Sequence, residues 1–288
     1  MAVSALAIST SAPLVLATSA DPLVIALLRL VFMAALVAAG VLITRQARTL
    51  RLPRREAAAL LALGVLLGLH FGFWIPSVRT TSVAASVVLV TSHPLLVAAL
   101  SHLWLKEKAS PLTVVGIVAA LLGVAVIFGS DLGSSNITGD LLAVGGAVTL
   151  GFYLLAGRAK RRAGLPVLTY TTYVYAGAAL TMAAAALLFQ SPVTGVSGRD
   201  TSLIFVMALV PGMLGHTLYN WALRYLRATV VSATHVIEPI GATLLAFWLF
   251  AQQPPPGTAL GGAITLGGVL LVVYGEARSD APASPPPA

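Results

Sequence analysis

Apolar stretches of about 20 residues recur along this chain, and its charged residues fall almost wholly in the gaps between them. That spacing is the one imposed by a hydrocarbon layer ~30 Å thick, which a helix crosses in about 20 residues. Of 288 residues only 9% are charged and 58% are hydrophobic. A soluble domain keeps roughly a quarter of its residues charged, because its surface faces water. This chain lacks the charge for such a surface, so most of its outside must meet lipid. The absence of cysteine excludes thiolate chemistry, thiolate metal sites and disulfides.

Breaks at charge clusters and at Pro/Gly/Asp turns predict spans at about 3–19, 22–44, 57–77, 81–104, 111–129, 139–158, 167–189, 201–221, 228–250 and 257–275. The polar, Pro-rich segment 279–288 is expected to be a disordered tail. The first span carries Ser4, Ser9, Thr10, Ser11 and Pro13, and the first basic residue of the chain is Arg29. A signal peptide needs a positive leading region, so this segment is expected to be a cavity-facing helix.

Basic residues sort by side. One side receives the arginines between Arg45 and Arg55, Lys106 and Lys108, the cluster Arg158 to Arg162, Arg224, Arg227 and Arg278. These number 14, against Arg79 and Arg199 on the other side, while Arg29 lies inside a span. The positive-inside rule then predicts a multi-pass protein of the cell (inner) membrane with both termini cytoplasmic. It also accounts for the net charge of +8 without nucleic acid.

Shifting the chain by 145 residues superposes Pro94 on Pro239, Pro111 on Pro256, Gly116 on Gly261 and Gly123 on Gly268. The expected architecture is therefore an all-α membrane protein of ten transmembrane helices, in two five-helix repeats (1–130 and 138–276) around a central cavity. An odd number of helices per repeat forces opposite insertion, and inverted repeats are a transporter signature with the site near the midplane.

At this point the chain resembles the drug/metabolite transporter superfamily, in particular the ten-helix EamA-type exporters that include the YddG amino-acid exporters. The resemblance rests on Arg29 in LLRLVF, on His93-Pro94 followed by LLVAALSHLWLKEKASPLTVVGIVAALLGVAVI, and on Glu238-Pro239 followed by IGATLLAFWLF. The family's usual Glu after the ninth span is Gln252 here, whereas its first-half counterpart Glu107 is present. The resemblance implies export of amino acids or small metabolites, with neutral and aromatic amino acids suggested by the YddG-like members.

Ionisable residues inside spans are costly and are functional candidates by default. Glu238 is the only deep carboxylate; His235 and Ser232 share its helix face at three-residue spacing. His93 takes the equivalent place in the first half, with Ser86 two turns earlier. Pro94 and Pro239 are candidate hinges, because proline frees a carbonyl and kinks a helix. His70, Trp74 and Ser77 in the third span, with Tyr219 and Asn220 in the eighth, form a candidate aromatic wall for an organic substrate. His216 belongs to the same segment, and Tyr153, Tyr170, Tyr173 and Tyr175 are further aromatics among which the sequence does not choose. Arg29 is a candidate charge partner for Glu238 or for substrate, and Glu238 a candidate proton carrier. The bland alternatives are a structural pairing of Glu238 with Arg29 or with a histidine, interfacial anchoring by the tryptophans, and simple end anchoring by Arg79 and Arg224.

No cofactor or metal is expected, since no His-x₃-His pair or carboxylate cluster occurs. No ATP-binding glycine loop or hydrolase motif occurs either, which excludes the commoner intramembrane enzymes. The expected partners are a small-molecule substrate (amino acid or metabolite), protons as a candidate second passenger, and the lipid bilayer, with no obligate protein partner. The expected function is secondary transport by alternating access. A carrier of the same fold for nucleotide sugars, lipids or drugs, or a passive channel, is the alternative.

Overall fold

The structure is a computed structural model that describes residues 1–105, 110–131, 136–226, 231 and 234–279. Ser232, Lys106, Glu107, Lys108, Arg227 and the tail beyond Ser279 lie outside the described residues. Among the described residues every element is helical, and the elements group into ten apolar helices. Seven are long: Pro22–Ile43, Arg54–Thr80, Pro111–Asp131, Asn136–Arg162, Val167–Leu188, Gly198–Ala222 and Pro256–Ser279. Three are shorter or broken, namely the first, Ala2–Ala17, the fourth, Val83–Val90 with His93–Leu105, and the ninth, Thr234–Val236 with Ile237–Phe250.

Local chemistry sets the helix ends. Asp21 accepts from the amides of Leu23 (2.9 Å) and Val24 (3.3 Å), and Pro22 stands at the first helical position. Ser82 accepts from the Ala85 amide (3.1 Å) and Ser197 from the Asp200 amide (3.0 Å). The second and seventh helices end alike. Arg45 (φ 55°) and Gln190 (φ 53°) turn left-handed, and the next amides, of Gln46 and Ser191, bond back to Val41 (3.0 Å) and Ala186 (2.8 Å). Both are six-to-one helix-closing bonds. The two ends are 145 residues apart, the offset of the internal repeat.

Packing repeats under the same exchange. The first helix meets the eighth and ninth, as the sixth meets the third and fourth. The second packs on the seventh, the fourth on the ninth, and the fifth on the tenth, so each of these pairs is its own counterpart. The fifth and tenth helices show the two-fold directly. A Cβ on Gly116 would come within 2.7 Å of the Gly268 carbonyl oxygen, and one on Gly123 within 2.6 Å of the Gly261 oxygen. Each glycine therefore faces the repeat partner of the other, which requires the two helices to cross antiparallel. Two five-helix units related in this way are inverted repeats. The glycine stripes thus serve packing within the chain, where small residues let membrane helices approach.

Gln252 has a structural task in this arrangement. Its side-chain oxygen accepts from the Val83 amide (3.1 Å), capping the start of the fourth helix from the other repeat. A neutral amide does this as a carboxylate would.

Candidate functional site

Both proline-bearing helices break at equivalent places. The fourth is interrupted between Val90 and His93, and the ninth carries a 3₁₀ turn over Thr234–Val236 before Pro239. Proline cannot supply the amide an unbroken helix needs, so turns are displaced and their residues face inward. The eighth helix widens into a π-helical stretch over Ala208–Thr217 around Pro211, a distortion frequent at functional sites. Thr217 is fixed there by Tyr175, whose hydroxyl lies 2.8 Å from its own.

These breaks surround a central cavity lined by Ile8, Ser11, His70, Trp74, Val90, Thr91, Leu150, His216, His235 and Glu238. Among the described residues the first, third, fourth, sixth, eighth and ninth helices and the break at Thr91 supply this wall, and the second, fifth, seventh and tenth helices supply none of it. The free space is about 20 Å³, enough for about one water and too small for an organic solute. The site is closed down.

Aromatic rings pack around it. His70 stacks parallel on Trp74 (centroids 6.3 Å, 3°), and His216 meets His70 (6.3 Å) and Phe71 (5.3 Å) edge-on. His93 meets His235 at 5.0 Å, and Tyr219 stacks on His235 at 4.2 Å. Nδ1 of His70 bonds the Gly146 carbonyl (3.0 Å), Nδ1 of His93 that of Val90 (3.1 Å) and Nδ1 of His235 that of Val231 (3.3 Å). A carbonyl only accepts, so in all three rings Nδ1 is the donor of these bonds.

The decisive geometry concerns the two charges. Arg29 is fully buried, donates from Nη1 to the Ser11 hydroxyl (2.8 Å), and lies over the Phe71 ring (4.5 Å). Its Nε and Nη2 have no hydrogen-bond partner among the described residues. Glu238, 5% exposed at the cavity wall, makes no ion pair or hydrogen bond among the described residues. A direct Glu238–Arg29 bridge, one bland alternative from sequence, is therefore absent in this closed state. Trp74 Nε1 and His93 Nε2 are likewise buried without partners. Such orphaned groups cost ~1–3 kcal/mol each, and more when charged.

The structure separates the other candidates. Ser77 and Ser86 bond each other (2.6 Å) behind Trp74, and neither lines the cavity. Asn220 accepts from Tyr153 (2.8 Å) and does not line the cavity. Tyr173 points away, donating to the Leu50 carbonyl (2.6 Å), and Trp221 and Arg224 are exposed. Ile8, Ser11, Val90, Thr91 and Leu150 are wall residues without ionisable groups to draw attention in the sequence; only the hydroxyl-rich first span hinted at Ser11.

The profile of the EamA-like transporter family matches residues 1–129 and 137–274. The chain belongs to this family. Among the relatives of this EamA-like protein, an uncharacterized transporter of Archaeoglobus fulgidus is 26% identical over 200 residues, 67% of each chain. The uncharacterized transporter YyaM of Bacillus subtilis is 26% identical over 76% of this chain and 72% of its own. A probable terminal-alkyne amino-acid exporter of Streptantibioticus cattleyicolor is 25% identical over 64% of this chain and 62% of its own. One solved crystal structure shares the fold at TM-score 0.70, covering 93% of this chain and 94% of that one at 21% identity. This EamA-like protein is a multi-pass membrane transporter, and its relatives are named as transporters rather than enzymes.

Proposed function

We propose that this protein is a secondary transporter that exports neutral or aromatic amino acids across the cytoplasmic membrane by alternating access, with the arginine-rich end inside. The observation that carries this reading is that Glu238 and Ser11 line one cavity, and that Ser11 holds the buried Arg29 guanidinium, whose Nε and Nη2 have no partner among the described residues. A zwitterion brings the complement of both charges. Its carboxylate would take the Arg29 nitrogens, and its ammonium would take Glu238 and the His70 Nε2. Trp74, Phe71 and the histidine rings give the side chain an apolar, aromatic wall. Burying either charge alone would be far costlier than burying the pair with a matched guest. The likeness to a named amino-acid exporter agrees with this choice.

Two roles follow for the residues around the cavity. Pro94 and Pro239 mark where the fourth and ninth helices bend as the site turns from one side to the other. Glu238 is the one deep carboxylate and carries the proton if transport runs against a proton gradient. The two repeats, 1–130 and 138–276, are the bodies that rock.

Uptake of labelled neutral, aromatic and charged amino acids into liposomes holding the purified protein tests this reading. Saturable uptake of neutral and aromatic ones, enhanced by an inward-acid or outward-acid gradient, is expected. Uptake no greater than in empty liposomes for every amino acid would transfer the assignment to another metabolite class.

A further inference from the structure

At the end opposite the arginine-rich loop, residues 18–21 link the first two helices, and this short link is held from two sides. Arg79, in the last turn of the third helix, donates from Nη2 to the carbonyls of Val15 (3.2 Å) and Thr18 and to the Thr18 hydroxyl (3.0 Å). Asp200, in the first turn of the eighth helix and 2% exposed, accepts from the Ser19 amide (3.1 Å) and the Ser19 hydroxyl (2.7 Å). The second contact ties one repeat to the other. Arginine and aspartate here do more than anchor helix ends, since both are spent on the same four-residue link.

The basic end is closed by a different set. Arg161, 1% exposed, donates from Nε to the Asn220 carbonyl (2.8 Å) and from Nη1 to the Leu165 carbonyl, joining the eighth helix to the connection after the sixth. Beside it Lys160 and Glu56 form an ion pair at 2.9 Å. Arg224, the repeat counterpart of Arg79, is exposed and takes no part in this closure. The two closures therefore use different residues and can be broken one at a time.

The latched link is also wired to the ligand site. The first helix is interrupted at Thr10, and its second half, Ser11–Ala17, runs from the cavity to the link. Ser11 heads that half-helix and holds Arg29 at 2.8 Å. A half-helix fastened at one end by Arg79 and Asp200, and at the other by Arg29, moves as a unit when either fastening is released.

Building on the transporter reading above, we infer that the link at 18–21 is the gate of the end opposite the arginine-rich loop. Arg79 and Asp200 latch it, and its opening carries Ser11 away from Arg29, so that gate release and exposure of the guanidinium are one movement. A substrate carboxylate that replaces Ser11 on Arg29 loosens the same half-helix from inside.

The chain contains no cysteine, so a single reporter is specific. Val90→Cys places a thiol of similar size at the cavity wall, and a membrane-impermeant maleimide is applied to one face at a time. Loss of one charge-assisted bond shifts a two-state closure by about tenfold. Labelling from the face opposite the arginine-rich loop is therefore expected to rise about tenfold with Arg79→Gln, and also with the milder Ser19→Ala. Labelling from the arginine-rich face should not rise with either. Arg161→Gln should show the reverse pattern. Unchanged labelling in Ser19→Ala and Arg79→Gln, or an equal rise at both faces, would overturn the latch. Because labelling needs no substrate, a shift in labelling without amino-acid uptake would retain the gate and discard the amino-acid assignment.

Discussion

Gly116 lies against Gly268, so close that a Cβ on the first would come within 2.7 Å of the carbonyl oxygen of the second. The reciprocal contact of Gly123 with Gly261 makes this crossing self-complementary, and the antiparallel fifth and tenth helices thereby fix how the two halves of the protein face each other.

Gly123→Val should consequently strain that crossing. Overpacking a close contact costs ~1–3 kcal/mol, and two of the three nearest neighbours, the Thr265 amide nitrogen and the Gly261 carbonyl oxygen, are backbone atoms that cannot swing aside. Thermal unfolding in detergent should shift down for Gly123→Val and much less for Gly267→Val, where an added Cβ meets nothing within 4 Å. Equal shifts for the two would contradict the packing account.

Ser77 and Ser86 are expected to matter for stability rather than for substrate. Their hydroxyls bond each other at 2.6 Å behind Trp74, and Ser77 also donates to the Trp74 carbonyl. Ser77→Ala should cost about 1 kcal/mol of stability and leave the transport KM unchanged. A raised KM without a stability change would place the serine at the substrate after all.

The ten helices were legible because hydrocarbon thickness dictates their length and because charge can collect only between them. The breaks in the fourth and ninth helices were legible at Pro94 and Pro239. Helix rotation was not legible. In a soluble protein the polar face reports which side is outside, but here lipid and core are both apolar, so Ser77 and Trp74 read alike although only Trp74 reaches the cavity. Arg161 shows the same limit. It sits in the basic run Arg158 to Arg162, which reads as an orientation signal, and its burial depends on where the eighth helix ends. The bond from Arg29 to Ser11 links separate helices, which no local spacing announces.

Arg29→Gln should fold yet lose transport. Removing one member of a desolvated charge contact costs ~2–5 kcal/mol, so kcat/KM for a neutral amino acid is expected to fall at least about thirty-fold. Arg29→Lys should rescue poorly, because an ammonium cannot bond Ser11, lie over Phe71 and still offer two free donors. Full activity in Arg29→Lys would show that only charge is needed.

Glu238→Gln separates proton coupling from binding. If the carboxyl carries the proton, the variant should still exchange labelled for unlabelled substrate while losing the response of net uptake to a pH gradient. Gradient response intact in Glu238→Gln would assign the proton to another group or to none.

The most direct measurement is competition against uptake of a labelled aromatic amino acid by its two half-molecules, the amine lacking the carboxylate and the acid lacking the amine. Recognition by Arg29 and Glu238 together predicts that each half-molecule competes at least about tenfold more weakly than the unlabelled zwitterion, since each leaves one buried charge unmatched. Competition by either half-molecule as strong as the zwitterion's would contradict the two-charge site.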